Sequence, residues 1–248
     1  MLNRYYVIDN FFDNRQGLVE VALESVKDQK PGGNYAGLTS PKAYLGLQQR
    51  EIFQSLTQEP SINSSTDGNG RIRFTRPGDS FKQNIHFDGF VATKWAGVVY
   101  LSKDHPKVDG TVFRRHKRTG LEEVPRDEAD LAKSGWNNRE GIKHLLKTEG
   151  VDDSLWEKTL VVPYKFNRLI LFRSWMFHSP GPAFGDTLET SRIVQTLSWA
   201  TNNYRLNLRL PRSDCARDRF GNFSVGNREF NSSHKKRGSI EPLPKPNV

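Results

Sequence analysis

The chain has 248 residues, enough for one large domain or one domain with extensions. Apolar residues make up 35% and glycine contributes 20 positions, together just under the usual share for a globular chain of about 45–50%. The net charge is +9, and one cysteine, Cys215, excludes an internal disulfide framework and a multi-cysteine zinc site.

These numbers point to a reducing, cytoplasmic setting. No apolar run is long enough to span a bilayer, and MLNRYYVIDNFFDNRQ has no apolar signal core. Secreted, membrane and disulfide-scaffold classes are therefore not expected, and neither is a membrane partner.

In chain order, Leu18, Val21, Ala22 and Ser25 fall at helical spacing within residues 14–29, with Asp13 as the N-cap. PGGN at 31–34 ends that pattern. Ser40-Pro41 reads as N-cap and first helical residue of a helix to about Thr57, with Tyr44, Leu47, Ile52, Phe53 and Leu56 on its apolar face. Residues 60–70 read as a loop.

From Arg71 the texture becomes short β-rich runs: RIRFTR, QNIHFD, KWAGVVYLS, TVFRRHK, RLILFRS and SRIVQTLSWAT. Between Lys117 and Leu160 a charged stretch carries three helix-like pieces, near 126–133, 138–147 and 153–158, with Trp136 and Trp156 expected to dock it on the sheet. Helices first and then many short strands predict a mainly β, α+β fold, a two-sheet sandwich or jelly roll with flanking helices.

The predicted organisation is a helical support over 1–70 and a β core over 71–204 with an insert at about 117–160. A basic extension over 205–248 completes it. That extension holds ten Lys/Arg against four acids, a net of +6, and reads as irregular and partly mobile beyond about Arg212. It is either a solvated extension or an electrostatic footprint for an acidic partner or nucleic acid, with Phe220, Phe223 and Phe230 interleaved.

Six histidines are present: His86, His105, His116, His144, His178 and His234. Only His86 has a carboxylate two residues away within a strand-like run, in His86-Phe87-Asp88. Residues i and i+2 of a strand share a face, so imidazole and carboxylate converge. They supply two of the three ligands of a 2-His-1-carboxylate site.

His178 fits best as the third, because it follows the apolar strand Leu169–Phe172 and sits among Ser, Pro and Gly. His105 lies in a turn and His144 in a helix, while Arg114, Arg115, Lys117 and Arg118 around His116 would repel a cation. Such a triad leaves coordination positions open, which suits ferrous iron and O2 chemistry. An acidic co-substrate there needs a fixed cation, and Arg192, at the start of SRIVQTLSWAT, can grip a carboxylate with two parallel hydrogen bonds.

With these residues in order, the segment from about Arg71 to Thr201 resembles the Fe(II)- and 2-oxoglutarate-dependent dioxygenase superfamily, most closely its prolyl-4-hydroxylase-like branch. The resemblance rests on Arg76-Pro77-Gly78 ten residues before His86, on His86-Phe87-Asp88, on WAGVVYLS, on NRLILFRSWMFHSPGP and on Arg192.

It implies a double-stranded β-helix of the cupin-like kind, with Fe(II) on His86, Asp88 and His178 and 2-oxoglutarate anchored by Arg192. It implies oxidation of 2-oxoglutarate by O2 to succinate and CO2 with hydroxylation of a substrate. Halogenating relatives lack the carboxylate that Asp88 provides. Arg76 departs from the branch, which often carries Tyr there, and Tyr100 lies on a strand that lines the pocket in relatives.

Substrate classes left open are a peptide or protein side chain, an amino acid or small metabolite, and a nucleobase. Two other classes also remain: a cupin-like metal enzyme that does not use 2-oxoglutarate, and a non-enzymatic jelly-roll binding protein whose basic tail contacts nucleic acid.

Overall fold

Residues 169–172 alternate between two cores. Leu169 and Leu171 face one apolar cluster, while Ile170 and Phe172 face another. A strand packed on both faces reads as a continuous apolar run because neither side meets water. In the computed structural model this strand, β8 (Leu169–Arg173), is flanked by β1 (Tyr5–Ile8) and β5 (Trp95–Tyr100). The structure describes residues 3–13, 15–29, 36–58, 62–63, 68–79, 84–89, 95–125, 128–134 and 139–200.

Two antiparallel sheets organise the described residues. The larger runs β1-β8-β5-β10-β4-β2, with β2 at Leu38–Thr39, β4 at Ile72–Thr75 and β10 at Arg192–Ala200. The short strand β3 (Ile62–Asn63) joins the far end of β10. The smaller sheet runs β7-β6-β9, with β6 at Asp109–His116, β7 at Trp156–Pro163 and β9 at His178–Pro180.

One face of the large sheet packs on helices α1 (Arg15–Val26) and α2 (Leu47–Thr57) through Ala22, Val26 and Phe53. Its other face meets Phe113 and Val162 of the small sheet. The fold is thus mostly antiparallel strand with few helices. Among the described residues no helix is long and apolar enough to cross a membrane.

The helices differ in detail from the periodicity reading. In α1 the buried stripe runs through Ala22 and Val26, both at 0% exposure, while Val21 is 58% exposed. The stripe follows the i, i+4 row from Leu18 and turns Val21 to water. Helix α2 begins at Leu47 rather than at Pro41. Ser40 is no helix cap: its hydroxyl accepts the Ile72 N–H at 2.9 Å, and its own N–H donates to the Ile72 carbonyl at 2.8 Å. The side chain is consumed in joining β2 to β4.

QNIHFD is not a strand. Its described part contributes an isolated antiparallel bridge, His86 with His178. The third helix-like piece is also overturned. Asp152 accepts the Ser154 N–H at 2.9 Å, a single 3-10 turn spans Asp153–Leu155, and β7 starts at Trp156. Pairing of β7 with β6 outweighs the local helical pattern.

The insert otherwise carries α3 (Glu128–Ser134) and α4 (Arg139–Glu149). Ile142, Leu145 and Leu146 of α4 bury Trp156, whose indole N–H donates to the Glu149 carbonyl at 3.0 Å. Trp136 lies outside the described residues. The chain divides into compact units 1–206 and 207–248, and the second, with Cys215 and nearly all of the basic extension, also lies outside them.

Asn167 ties the N-terminal segment to the β8 entry. It adopts a left-handed backbone (φ 59), and its amide accepts the Phe12 N–H and donates to the Phe12 carbonyl, both at 2.9 Å. Its carbonyl accepts the Phe11 N–H at 3.0 Å, so two buried aromatics hang on one side chain and its backbone. Asn167→Ala should cost about 2 kcal/mol by removing both side-chain hydrogen bonds to the Phe12 backbone. A fall in the urea unfolding midpoint with an unchanged slope is the expected result, and an unmoved midpoint would refute the clamp.

Candidate metal centre

Three short anchors bring the site together. His86 and His178 exchange backbone N–H to carbonyl bonds at 2.9 Å in both directions. The Asp88 N–H donates to the Ser174 carbonyl at 2.8 Å, and the Gly89 N–H joins the same acceptor at 3.1 Å. β9 is held by β6 through the register pair Phe113 and His178. Residues 92 positions apart in the chain thereby carry their side chains to one point, with His86 and His178 ring centroids 4.4 Å apart.

One ligand atom from each of His86, Asp88 and His178 lies within 4.8 Å of the others. Nε2 of His86 is 3.7 Å from one Asp88 oxygen, and Nε2 of His178 is 3.4 Å from the other. Both separations exceed a hydrogen bond, about 2.7–3.2 Å. A plain His-Asp core pair would be shorter.

The opposite ring atoms explain the arrangement. Nδ1 of His86 is 3.1 Å from the Asn84 carbonyl, and Nδ1 of His178 is 3.0 Å from the Met176 carbonyl. A carbonyl only accepts, so each Nδ1 carries the proton, an assignment from the partners. Burial, then the neighbouring His86, pushes the His178 imidazole down to about 4, so it is neutral near pH 7. The His178 Nε2 lone pair, with no proton of its own, therefore faces the Asp88 carboxylate, and Nε2 of His86 points at the same group.

That is a repulsive arrangement unless a cation lies between them. Two bonds of about 2.1 Å at right angles would set donors about 3 Å apart. The observed gaps of 3.7 and 3.4 Å, each to a different Asp88 oxygen, would contract by about 0.7 and 0.4 Å. The donor set, two imidazoles and one carboxylate, suits a divalent transition metal and leaves further positions open. Asp88 is 36% and His86 34% exposed, so one side of the cluster is reachable, while His178 is buried.

Arg192 stands elsewhere in the same inter-sheet space. It is 5% exposed, and Nη2 donates to the Gly110 carbonyl at 3.1 Å. Its Nε has no hydrogen-bond partner, and no carboxylate pairs with it among the described residues. Burial lowers its affinity for the proton, with Tyr164 and Tyr100 countering. A guanidinium left this dry needs an anion to complete it. Gly110 lies three residues, about 10 Å of strand, along β6 from Phe113, the register partner of His178.

Tyr100 and Tyr164 stack at 4.6 Å beside Arg192, whose Cζ lies 5.9 Å from the Tyr164 ring. The Tyr100 hydroxyl donates to Thr111 at 2.8 Å, and burial raises its proton affinity to about 12. Burial likewise raises Tyr164. Both phenols stay neutral. Tyr164 escapes a sequence reading because the strand before it starts within a piece that looks helical. Tyr100 is in view, and its register opposite Val194 turns it inward.

The remaining predicted and rejected residues separate cleanly. Arg76 opens a turn in which its N–H donates to Asp79 at 2.7 Å and Gly78 takes φ 90. His116 is buried between Glu149, 2.8 Å from Nε2, and Thr119, 3.0 Å from Nδ1, a structural histidine. The His105 ring packs at a tilt against Tyr164, with centroids 4.8 Å apart. His234 lies outside the described residues.

The sequence model of a family of unknown function, DUF6445, matches residues 2–189, and the chain belongs to that family. No curated protein matches the sequence. Among solved structures the chain is similar to the non-heme alpha ketoglutarate dependent carbocyclase SnoK from nogalamycin biosynthesis. The identity is 12%, the match covers 81% of this chain and 80% of that chain, and the TM-score is 0.44.

Removing a cluster ligand and removing the structural histidine should have opposite signatures. His178→Ala should abolish stoichiometric Co(II) uptake at pH 7.5 while the far-ultraviolet circular dichroism is kept. His116→Ala should lower the melting temperature, as a buried Glu149 contact is lost, and leave Co(II) uptake intact. Equal cobalt binding by wild type and His178→Ala would show the cluster is not the site.

Proposed function

We propose that the protein is an Fe(II)- and 2-oxoglutarate-dependent oxygenase built on a double-stranded β-helix. The observation that carries the reading is the cluster itself: imidazoles of His86 and His178, each with its Nδ1 proton committed to a backbone carbonyl, turned with Asp88 toward a common point. The two facing antiparallel sheets and the resemblance of Arg71 to Thr201 support the same reading. Ferrous iron held there would supply O2 activation coupled to the conversion of 2-oxoglutarate to succinate and CO2.

The chain's own residues would divide the work. His86, Asp88 and His178 hold the ion on one face, since their backbone anchors leave little freedom to rearrange. Arg192 receives the far carboxylate of the co-substrate, whose charge completes the buried guanidinium. Tyr100 and Tyr164, kept neutral by burial, wall that end with aromatic surface and exclude water.

The buried Arg192 favours this assignment over a cupin-like metal enzyme without 2-oxoglutarate. We extend it to hydroxylation of a peptidyl or amino-acid side chain, supported by the retained carboxylate of Asp88 and the prolyl-4-hydroxylase-like motifs.

Anaerobic addition of Fe(II) and then 2-oxoglutarate should give the weak visible charge-transfer band of the chelate. Arg192→Ala should raise the 2-oxoglutarate concentration needed by more than about tenfold and leave iron affinity largely unchanged. Folded wild-type protein that gives no band contradicts the function. A band with unchanged 2-oxoglutarate affinity in Arg192→Ala contradicts the anchor alone.

A further inference from the structure

The insert does not merely cover the sheet. Its apolar cluster takes in Ile85 and Phe177, the residues directly before His86 and His178. Both are at 0% exposure. The α4 exit reinforces this, because the Ile85 N–H donates to the Gly150 carbonyl at 2.9 Å. A Cβ at Gly150 would stand 2.9 Å from the Ile85 carbonyl oxygen and 2.3 Å from that of Leu146, so only glycine allows the approach.

One polar side chain of the insert connects both ligand-bearing segments. Asp153 accepts from Asn84 Nδ2 at 3.2 Å through one oxygen and from Arg114 Nη2 at 3.2 Å through the other. Asn84 is the residue whose carbonyl takes the His86 Nδ1 proton. Arg114 is buried on β6, and its Nε reaches the hydroxyl of Ser179, next to His178, at 3.3 Å. Asp153 is the carboxylate that the described residues offer this guanidinium.

We propose that Asp153 is a positioning residue of the metal centre: through Asn84 it holds the carbonyl that fixes the tautomer of His86, and through Arg114 it ties that segment to the strand of His178. The inference rests on the metal reading above. Asp153 touches no ligand atom itself. It acts on the orientation of the His86 ring, and partners that orient a ligating histidine typically change metal affinity about 10- to 100-fold.

The test uses the full chain with Co(II) as the probe and two variants, Asp153→Ala and Asn84→Ala. The second keeps the backbone carbonyl itself but frees it from the side-chain tether and disturbs no core, so it decides the matter if the first fails to fold. Both should weaken Co(II) binding by about tenfold or more with an unchanged far-ultraviolet spectrum. In metal-free protein, long-range nitrogen–proton spectra of histidine should show His86 as the single Nδ1–H tautomer in wild type and as a mixture in the variants.

Metal affinity within twofold of wild type, with His86 still a single tautomer, overturns the positioning role. Wild-type protein that takes up no cobalt overturns instead the metal reading on which the inference stands.

Discussion

Two imidazole Nε2 atoms and a carboxylate facing one another across 3.4–3.7 Å are the constraint on which the site depends. Left to themselves such groups turn apart or share a proton. Here they do neither, because the protons sit on the far nitrogens and the backbones are cross-bonded. The short bridge of residues 86 and 178 is therefore more than a fragment of sheet. It fixes the spacing of two donors, so little rearrangement would be needed for them to hold a divalent cation.

Among the described residues no carboxylate pairs with the buried Arg192. Arg192 is dry, touches one carbonyl and leaves its Nε unpaired, while aromatic rings close its surroundings. The donor cluster beside Phe113 of β6 and the guanidinium on the Gly110 carbonyl of the same strand are the two features on which the proposed dicarboxylate co-substrate rests. The order of residues along β6, from Gly110 beneath Arg192 to Phe113 beside His178, sets the interval between them.

Much of this is legible in the sequence where short-range chemistry is decisive. His-x-Asp brings two donors together under almost any extended backbone, and LILF announces a strand buried on both faces. β5 and β10 are readable from their β-branched and aromatic runs. Legibility fails where tertiary contacts override local pattern. Ser40-Pro41 has the chemistry of a helix start, but its hydroxyl is claimed by Ile72. Residues 153–158 look helical, yet from Trp156 onward the chain pairs with β6 as strand β7. Asp153, Asn84 and Arg114 are far apart in the chain and ordinary in type, so only their meeting in space singles them out. Val21 shows the limit of helical spacing, since periodicity does not state which of two adjacent rows turns inward.

The most direct measurement is anomalous diffraction from crystals grown without oxygen in Mn(II) and 2-oxoglutarate. A single manganese peak within bonding distance of Nε2 of His86, Nε2 of His178 and a carboxylate oxygen of Asp88 is the predicted result. An ordered cluster with no peak, or a peak bound elsewhere on the protein, would contradict the account.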